Sequence, residues 1–223
     1  MMSAQKAGGW SAISLAASYT AGFGLFAFAV DRTGYQGATG ELAFALNNSL
    51  VLSVAMILLY IMVGAALIPL SFALAPEEAP HNAKWWGRVG QGFGVTWSAL
   101  VFGSGMIGLV GIGGAARLAL EEPERAATVW QVIGLVQNAL GGGIEVVGGL
   151  WSLIFGSLAL GGFILNRALG WLGIVIGIAG MATIAPPLAD LAMIFGLAQI
   201  VWFGWAGGVM LRQKRRRIAR PGC

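Results

Sequence analysis

Long apolar stretches separated by short polar loops run the length of this chain. A transmembrane helix needs about 20 mostly apolar residues. The pattern predicts spans near 9–30, 50–74, 89–116, 143–164, 169–186 and 188–211. The last two are nearly continuous. Pro186-Pro187 joins them and cannot extend a helix without a break, so they read as a tight helical hairpin. Residues 127–140 differ from the rest: Val129, Ile133, Val136 and Leu140 share one helical stripe, with Gln131 and Asn138 off it. This predicts an amphipathic helix lying in the outer membrane interface. Gly141-Gly142-Gly143 would then permit a sharp bend into the fourth span. The alternative is one very long helix from 127, too long to cross without a break. The expected fold is an all-α polytopic transmembrane bundle over residues 1–212, followed by a basic tail at 213–223.

Composition agrees with the pattern. Of 223 residues, 57% are hydrophobic and only 10% are charged, against roughly 25% charged in soluble domains. So few charges cannot cover a water-facing surface. The 36 glycines are about twice the usual share and suit close helix approach in lipid.

The net charge of +4 matters less than its distribution. With the N-terminus inside, Lys6, Lys84, Arg88, Arg167, Arg212, Lys214, Arg215, Arg216, Arg217 and Arg220 fall in inner segments. Only Arg32, Arg117 and Arg125 fall outside. Cytoplasmic segments carry such an excess, so both termini are expected in the cytoplasm and the protein in the inner membrane. Trp10, Trp85, Trp86 and Trp171 cluster at the same boundary, where Trp anchors helices at the headgroups. Lys6, the first apolar run and Ala27-Phe28-Ala29 also fit a signal peptide. Cleavage there would leave five spans with the C-terminus still inside, but the run is long for such a leader.

Several residues carry candidate chemistry. Glu145 follows the glycine triplet near the outer end of the fourth span. An acid inside the membrane is a functional candidate, and a broken helix beside it is a transporter feature. The structural alternative is a first-turn acid favoured by the helix dipole and paired with Arg117. Asp190 opens the sixth span, where acids commonly cap helices. Gln199 lies near mid-span with Phe195, Trp202 and Phe203 around it; it suits a bond to a neighbouring helix or to a ligand. Glu145, Asp190, Gln199, Trp202 and Arg117 are therefore the ligand-binding or transport candidates. Gly103-Ser104-Gly105-Met106-Ile107-Gly108 matches a dinucleotide-binding spacing but lacks the strand that motif requires, so it reads as helix packing. Gly173-xxx-Gly177, Gly204-xxx-Gly208 and Gly148-xxx-Ser152-xxx-Gly156 are small-residue ridges for packing within the bundle or for a homodimer. The basic tail suits topology and anionic-lipid contact better than nucleic acid.

What the chain lacks narrows the function. One Cys and one His allow no internal disulfide and no Cys/His zinc site. No Lys lies in a span, and no nucleophile–base set can be assembled, so no catalytic residue, cofactor or metal is expected.

Glu145 through Trp151, Leu169-Gly170-Trp171-Leu172-Gly173, Phe195 through Trp202 and the closing Leu211-Arg212 resemble a bacterial family of six-span membrane proteins of unknown function. The likeness covers residues 140–212 and implies the fold, but no activity. The expectation is a non-enzymatic membrane protein that binds a small lipophilic molecule or serves as accessory subunit to a partner membrane protein. The alternative is a small transporter or channel with an outer-facing acidic site.

Overall fold

The computed structural model describes residues 3–30, 33–142 and 145–212; Arg32, Gly143 and the basic tail lie outside the described residues. All regular structure among the described residues is helical. Five helical runs are long and apolar enough to cross a membrane: Ala4–Phe28, Ser49–Ala73, His81–Ala119, Pro123–Leu160 and Leu191–Arg212.

Helix α1 (Ala4–Phe28) starts at Ser3, whose hydroxyl accepts from the Lys6 N–H. Its buried stripe of Gly8, Ala12, Leu15, Ser18 and Gly22 repeats every three or four residues. Helix α2 (Gly37–Asn47) is short. Helices α3 (Ser49–Met56) and α4 (Val63–Ala73) are one rod joined by a π-helical turn, Ile57–Met62. Helix α5 (His81–Ala119) is the longest. Its 39 residues rise about 58 Å at 1.5 Å each, nearly twice the ~30 Å bilayer core.

Helices α6 (Pro123–Gln137) and α7 (Val146–Leu160) follow α5 back down, one after the other. The pairings show the antiparallel sense. Gly111 of α5 faces Ile133, Gly108 faces Gln137, and Gly103 faces Leu140. Further down, Trp97 meets Trp151 and Gly90 meets Phe155. Between α6 and α7 the chain widens into a π-helical turn at Asn138–Gly142, where Gly141 takes φ 131°, a conformation only glycine adopts at no cost.

Helix α8 (Arg167–Ala182) begins at Asn166, whose side chain accepts from the Leu169 N–H at 2.9 Å. A 3₁₀ turn at Pro186–Leu188 leads into α9 (Leu191–Arg212), which gives the hairpin read from Pro186-Pro187. Helices α7 and α8 pack at backbone contact. A Cβ on Gly149 would lie 2.8 Å from the Met181 nitrogen, and one on Gly156 would lie 2.9 Å from the Ile174 nitrogen. The ridges Gly148/Ser152/Gly156 and Gly173/Gly177 are thus spent inside the bundle. Gly208 meets nothing within 4 Å; its neighbour Gly207 takes the contact with α1. The Gln5 side chain donates to the Met210 carbonyl at 2.9 Å, so the start of α1 lies beside the end of α9.

Two expectations change. First, α8 has 16 residues, about 24 Å, and is shorter than the spanning length. Second, the segment at 127–140, expected as an amphipathic helix in the outer interface, has one side packed on another helix. Its inward ridge is Ala126, Trp130, Ile133, Gln137 and Leu140, which runs lengthwise along α5, while Val129, Val132, Leu135 and Val136 are exposed. Apolar residues cover both faces: of the stripe expected to meet the membrane interface, Val129 and Val136 are exposed and Ile133 packs on α5.

Candidate functional site

The interior holds an aromatic knot. Trp151 is its hub, with ring centroids of Phe155, Trp202, Trp97 and Phe203 at 5.0, 5.4, 5.7 and 6.1 Å. All five rings are buried. Edge-to-face pairs of this kind add about 0.5–1.5 kcal/mol beyond area burial.

Polar side chains thread the knot because helices leave few partners in an apolar interior. The Trp151 indole N–H donates to Ser71 Oγ at 2.9 Å, and Ser71 in turn donates to the Leu67 carbonyl. Trp202 donates to the Leu169 carbonyl at 3.0 Å. Gln199 is 0% exposed, and its amide donates to Ser152 Oγ at 2.8 Å. Its Oε1 has no partner, and neither has the Trp97 indole N–H. Such orphaned buried groups are rare in native interiors. Gln199 thus bridges α9 to α7.

A second polar layer surrounds Glu145, just ahead of α7. The Glu145 N–H donates to Thr183 Oγ1 at 2.8 Å, and its carbonyl accepts from Gly149. These bonds tie the break in the α6–α7 run to the end of α8. The half-buried Glu145 carboxylate lies within electrostatic reach of the Tyr19 and Tyr60 hydroxyls. Tyr60 sits on the π-helical turn and is directed at Ser104. Ser104 and Gln137 clasp each other: Gln137 Nε2 donates to the Ser104 carbonyl at 2.9 Å, and Ser104 Oγ donates to the Gln137 carbonyl at 3.3 Å. Both π-helical turns among the described residues therefore flank this layer. Such turns are frequent at functional sites.

The sequence candidates do not form one site. Gln199 and Trp202 belong to the aromatic knot, and Glu145 belongs to the layer at the helix break. Asp190 is exposed just ahead of α9. Arg117 is exposed near the far end of α5. Gly141 abuts Val101, so Arg117 lies some 16 residues along α5 from the level of the break, about 24 Å. The expected Glu145–Arg117 pair is thus absent, and the salt bridge among the described residues joins Arg125 to Glu122 at 3.0 Å. Trp97, Trp151, Ser71, Tyr19 and Tyr60 were not anticipated. Their signal was a polar or amphipathic residue inside an otherwise apolar span. Among the described residues no three His, Cys, Asp or Glu side chains converge to hold a metal.

A groove of about 620 Å³ opens at the bundle end that carries the start of α5. Ala83 and Trp86 of α5, Ile154 and Leu158 of α7, and Phe163 beyond it supply its apolar walls, with Asn82 and Ser157 as the polar groups. No family model matches the chain, and no curated protein or solved structure does so either.

Proposed function

We propose that this chain is a non-enzymatic multi-pass protein of the cell inner membrane that binds a small lipophilic molecule in the groove at the start of α5. The groove carries this reading. Its volume falls within the ~300–1,000 Å³ typical of small-molecule sites, and an apolar lining with a few polar groups is their usual make-up. Support for the membrane setting comes from the exposed apolar helix faces. Leu50, Val110, Val175, Met193 and Val201 are each more than half exposed, a pattern that fits lipid. Six crossings with both termini cytoplasmic follow if α8 spans where the bilayer is locally thin, as short apolar helices can. The basic tail then meets anionic lipid. A partner membrane protein would find the open Gly208 side of α9.

Ser157 is exposed in the groove, so Ser157→Trp should fill it without disturbing the core. Mass spectrometry of gently extracted protein should find a small apolar molecule with the wild type and lose it with Ser157→Trp, at unchanged melting temperature. An identical molecule in both, or none in either, defeats the reading.

A specific observation favours a second reading, a small transporter with an outer-facing acidic site. Glu145 stands at the break in the α6–α7 run, and discontinuous helices of this kind form transporter sites. Proteoliposome uptake abolished by Glu145→Gln would select it.

A further inference from the structure

The opposite end of the bundle carries a pocket of different chemistry. Tyr35 precedes α2, and its ring meets Phe44 edge-on at 5.6 Å. Asn47 Nδ2 donates to the Tyr35 hydroxyl at 3.0 Å, which holds the ring in place. Across from α2, Trp130 projects from α6 and is half-buried. Tyr35, Phe44 and Trp130 enclose a cavity of about 360 Å³ with Glu41 at its edge and Leu52 and Met56 at its base. A shallower groove of about 480 Å³ shares Glu41 and Trp130 and continues along α6 past Gln131, Leu135 and Asn138.

Glu41 forms no ion pair among the described residues, and Arg125, on the same helix as Trp130, is engaged by Glu122. The pocket therefore offers one carboxylate without an ion pair among the described residues, three aromatic side chains and an apolar floor with a polarisable thioether. Aromatic faces attract cations through the ring quadrupole, most strongly for Trp, and cages of aromatic rings recognise quaternary ammonium groups. An ammonium with N–H donors would need several acceptors, and the cavity lining supplies the Glu41 carboxylate and a Tyr35 hydroxyl that already accepts from Asn47. A methylated ammonium needs none, and its methyl groups suit the Leu52 and Met56 floor.

We propose that this pocket binds a small quaternary ammonium ion, with Glu41 as counter-charge, Tyr35 and Trp130 as aromatic walls, and the α6 groove holding whatever the cation carries. The site shares no residue with the groove at the start of α5, so its fate is independent of the reading above.

Choline and its neutral isostere 3,3-dimethyl-1-butanol, titrated calorimetrically into the full chain in maltoside micelles, test it. Choline should bind, and the isostere should bind at least about tenfold more weakly, because it lacks the charge that both the carboxylate and the rings recognise. Glu41→Gln should weaken choline about tenfold with melting unchanged, since the side chain is exposed. Trp130→Leu should abolish binding. Trp130 also packs against Leu42, Ala115 and Ala126, so Trp130→Phe, which keeps a ring, serves as the second variant and should bind choline weakly. The proposal is overturned if folded wild-type protein gives no choline signal, if choline and the isostere bind alike, or if Glu41→Gln binds choline as wild type does.

Discussion

Gly149→Ala and Gly92→Ala should move stability in opposite directions, and the structure gives the size of each effect. At Gly149 the added methyl would lie 2.8 Å from the Met181 nitrogen and 2.9 Å from the Gly177 oxygen, where ordinary contact begins at 3.4 Å. Both obstacles are backbone of α8, which cannot rotate aside, so the α7–α8 hairpin must open by several tenths of an ångström along its length. Overpacking of this kind costs about 1–3 kcal/mol. Replacing a helical glycine with alanine returns about 1 kcal/mol, leaving a net loss of up to about 2 kcal/mol. At Gly92 a Cβ meets nothing within 4 Å, so only the propensity gain of about 1 kcal/mol remains. Circular-dichroism melts in one detergent should place Gly149→Ala below wild type by a few degrees and Gly92→Ala above it. Gly156→Ala, blocked by the Ile174 nitrogen at 2.9 Å, should follow Gly149→Ala. If all three variants shift the same way, the hairpin is not held at backbone contact and the reasoning fails.

Four further outcomes are expected. Ser152→Ala removes the one bond that Gln199 makes and should cost about 1–3 kcal/mol; Gln199→Met, which withdraws the amide itself, should cost less, and the reverse order in urea titrations would contradict the bridge. Trp151→Ala should cost about 3–5 kcal/mol and lower the yield of folded protein in size-exclusion profiles. Arg117→Ala should leave melting unchanged and should not alter the effect of Glu145→Gln, because the two groups are far apart; a coupling energy above about 0.5 kcal/mol in the double variant would restore the pair. Reporter fusions before Ala4 and after Arg212 should give the same side of the membrane, since Gln5 holds Met210; opposite sides would break the bundle as described.

The helices were legible because apolar runs of spanning length leave the backbone one way to satisfy its hydrogen bonds in lipid. The breaks at Pro186-Pro187 and at Gly141 were legible too, since proline removes a helix donor and fixes φ while glycine adopts positive φ freely. The orientation of α6 was not. Val129 and Val136 share the predicted stripe with Ile133 and Leu140, but the packed ridge also takes in Ala126 and Trp130. Where both faces are apolar, periodicity cannot name the inner one. The Glu145–Arg117 pairing was read from charge alone. Its test was the 39-residue length of α5, which the charge pattern could not reveal. Tyr19 and Tyr60 went unnoticed, and Ser104 was read only as part of a packing motif, because they lie on three separate helical runs and only the fold gathers them. The pocket at the α2 end was equally hidden, since Trp130 lies almost ninety residues of chain beyond Glu41.

The contact between α1 and α9 also sets a timetable for synthesis. Gly8 and Gly9 rest against Met210 and Leu211, and Gly207 rests against the Gly9 carbonyl. Helix α1 therefore meets one of its packing partners only when α9 has been made. At about 5–20 residues per second, the chain between Phe28 and Arg212 takes roughly 10–40 s to make. Throughout that interval α4 already covers Gly8 through Ala73, while Gly9 and the rest of the α9-facing side of α1 have only lipid, or an insertion chaperone, to lean on. A ribosome stalled before α9 would leave the side of α1 around Gly9 uncovered, and the quality-control proteases of the membrane would meet it there.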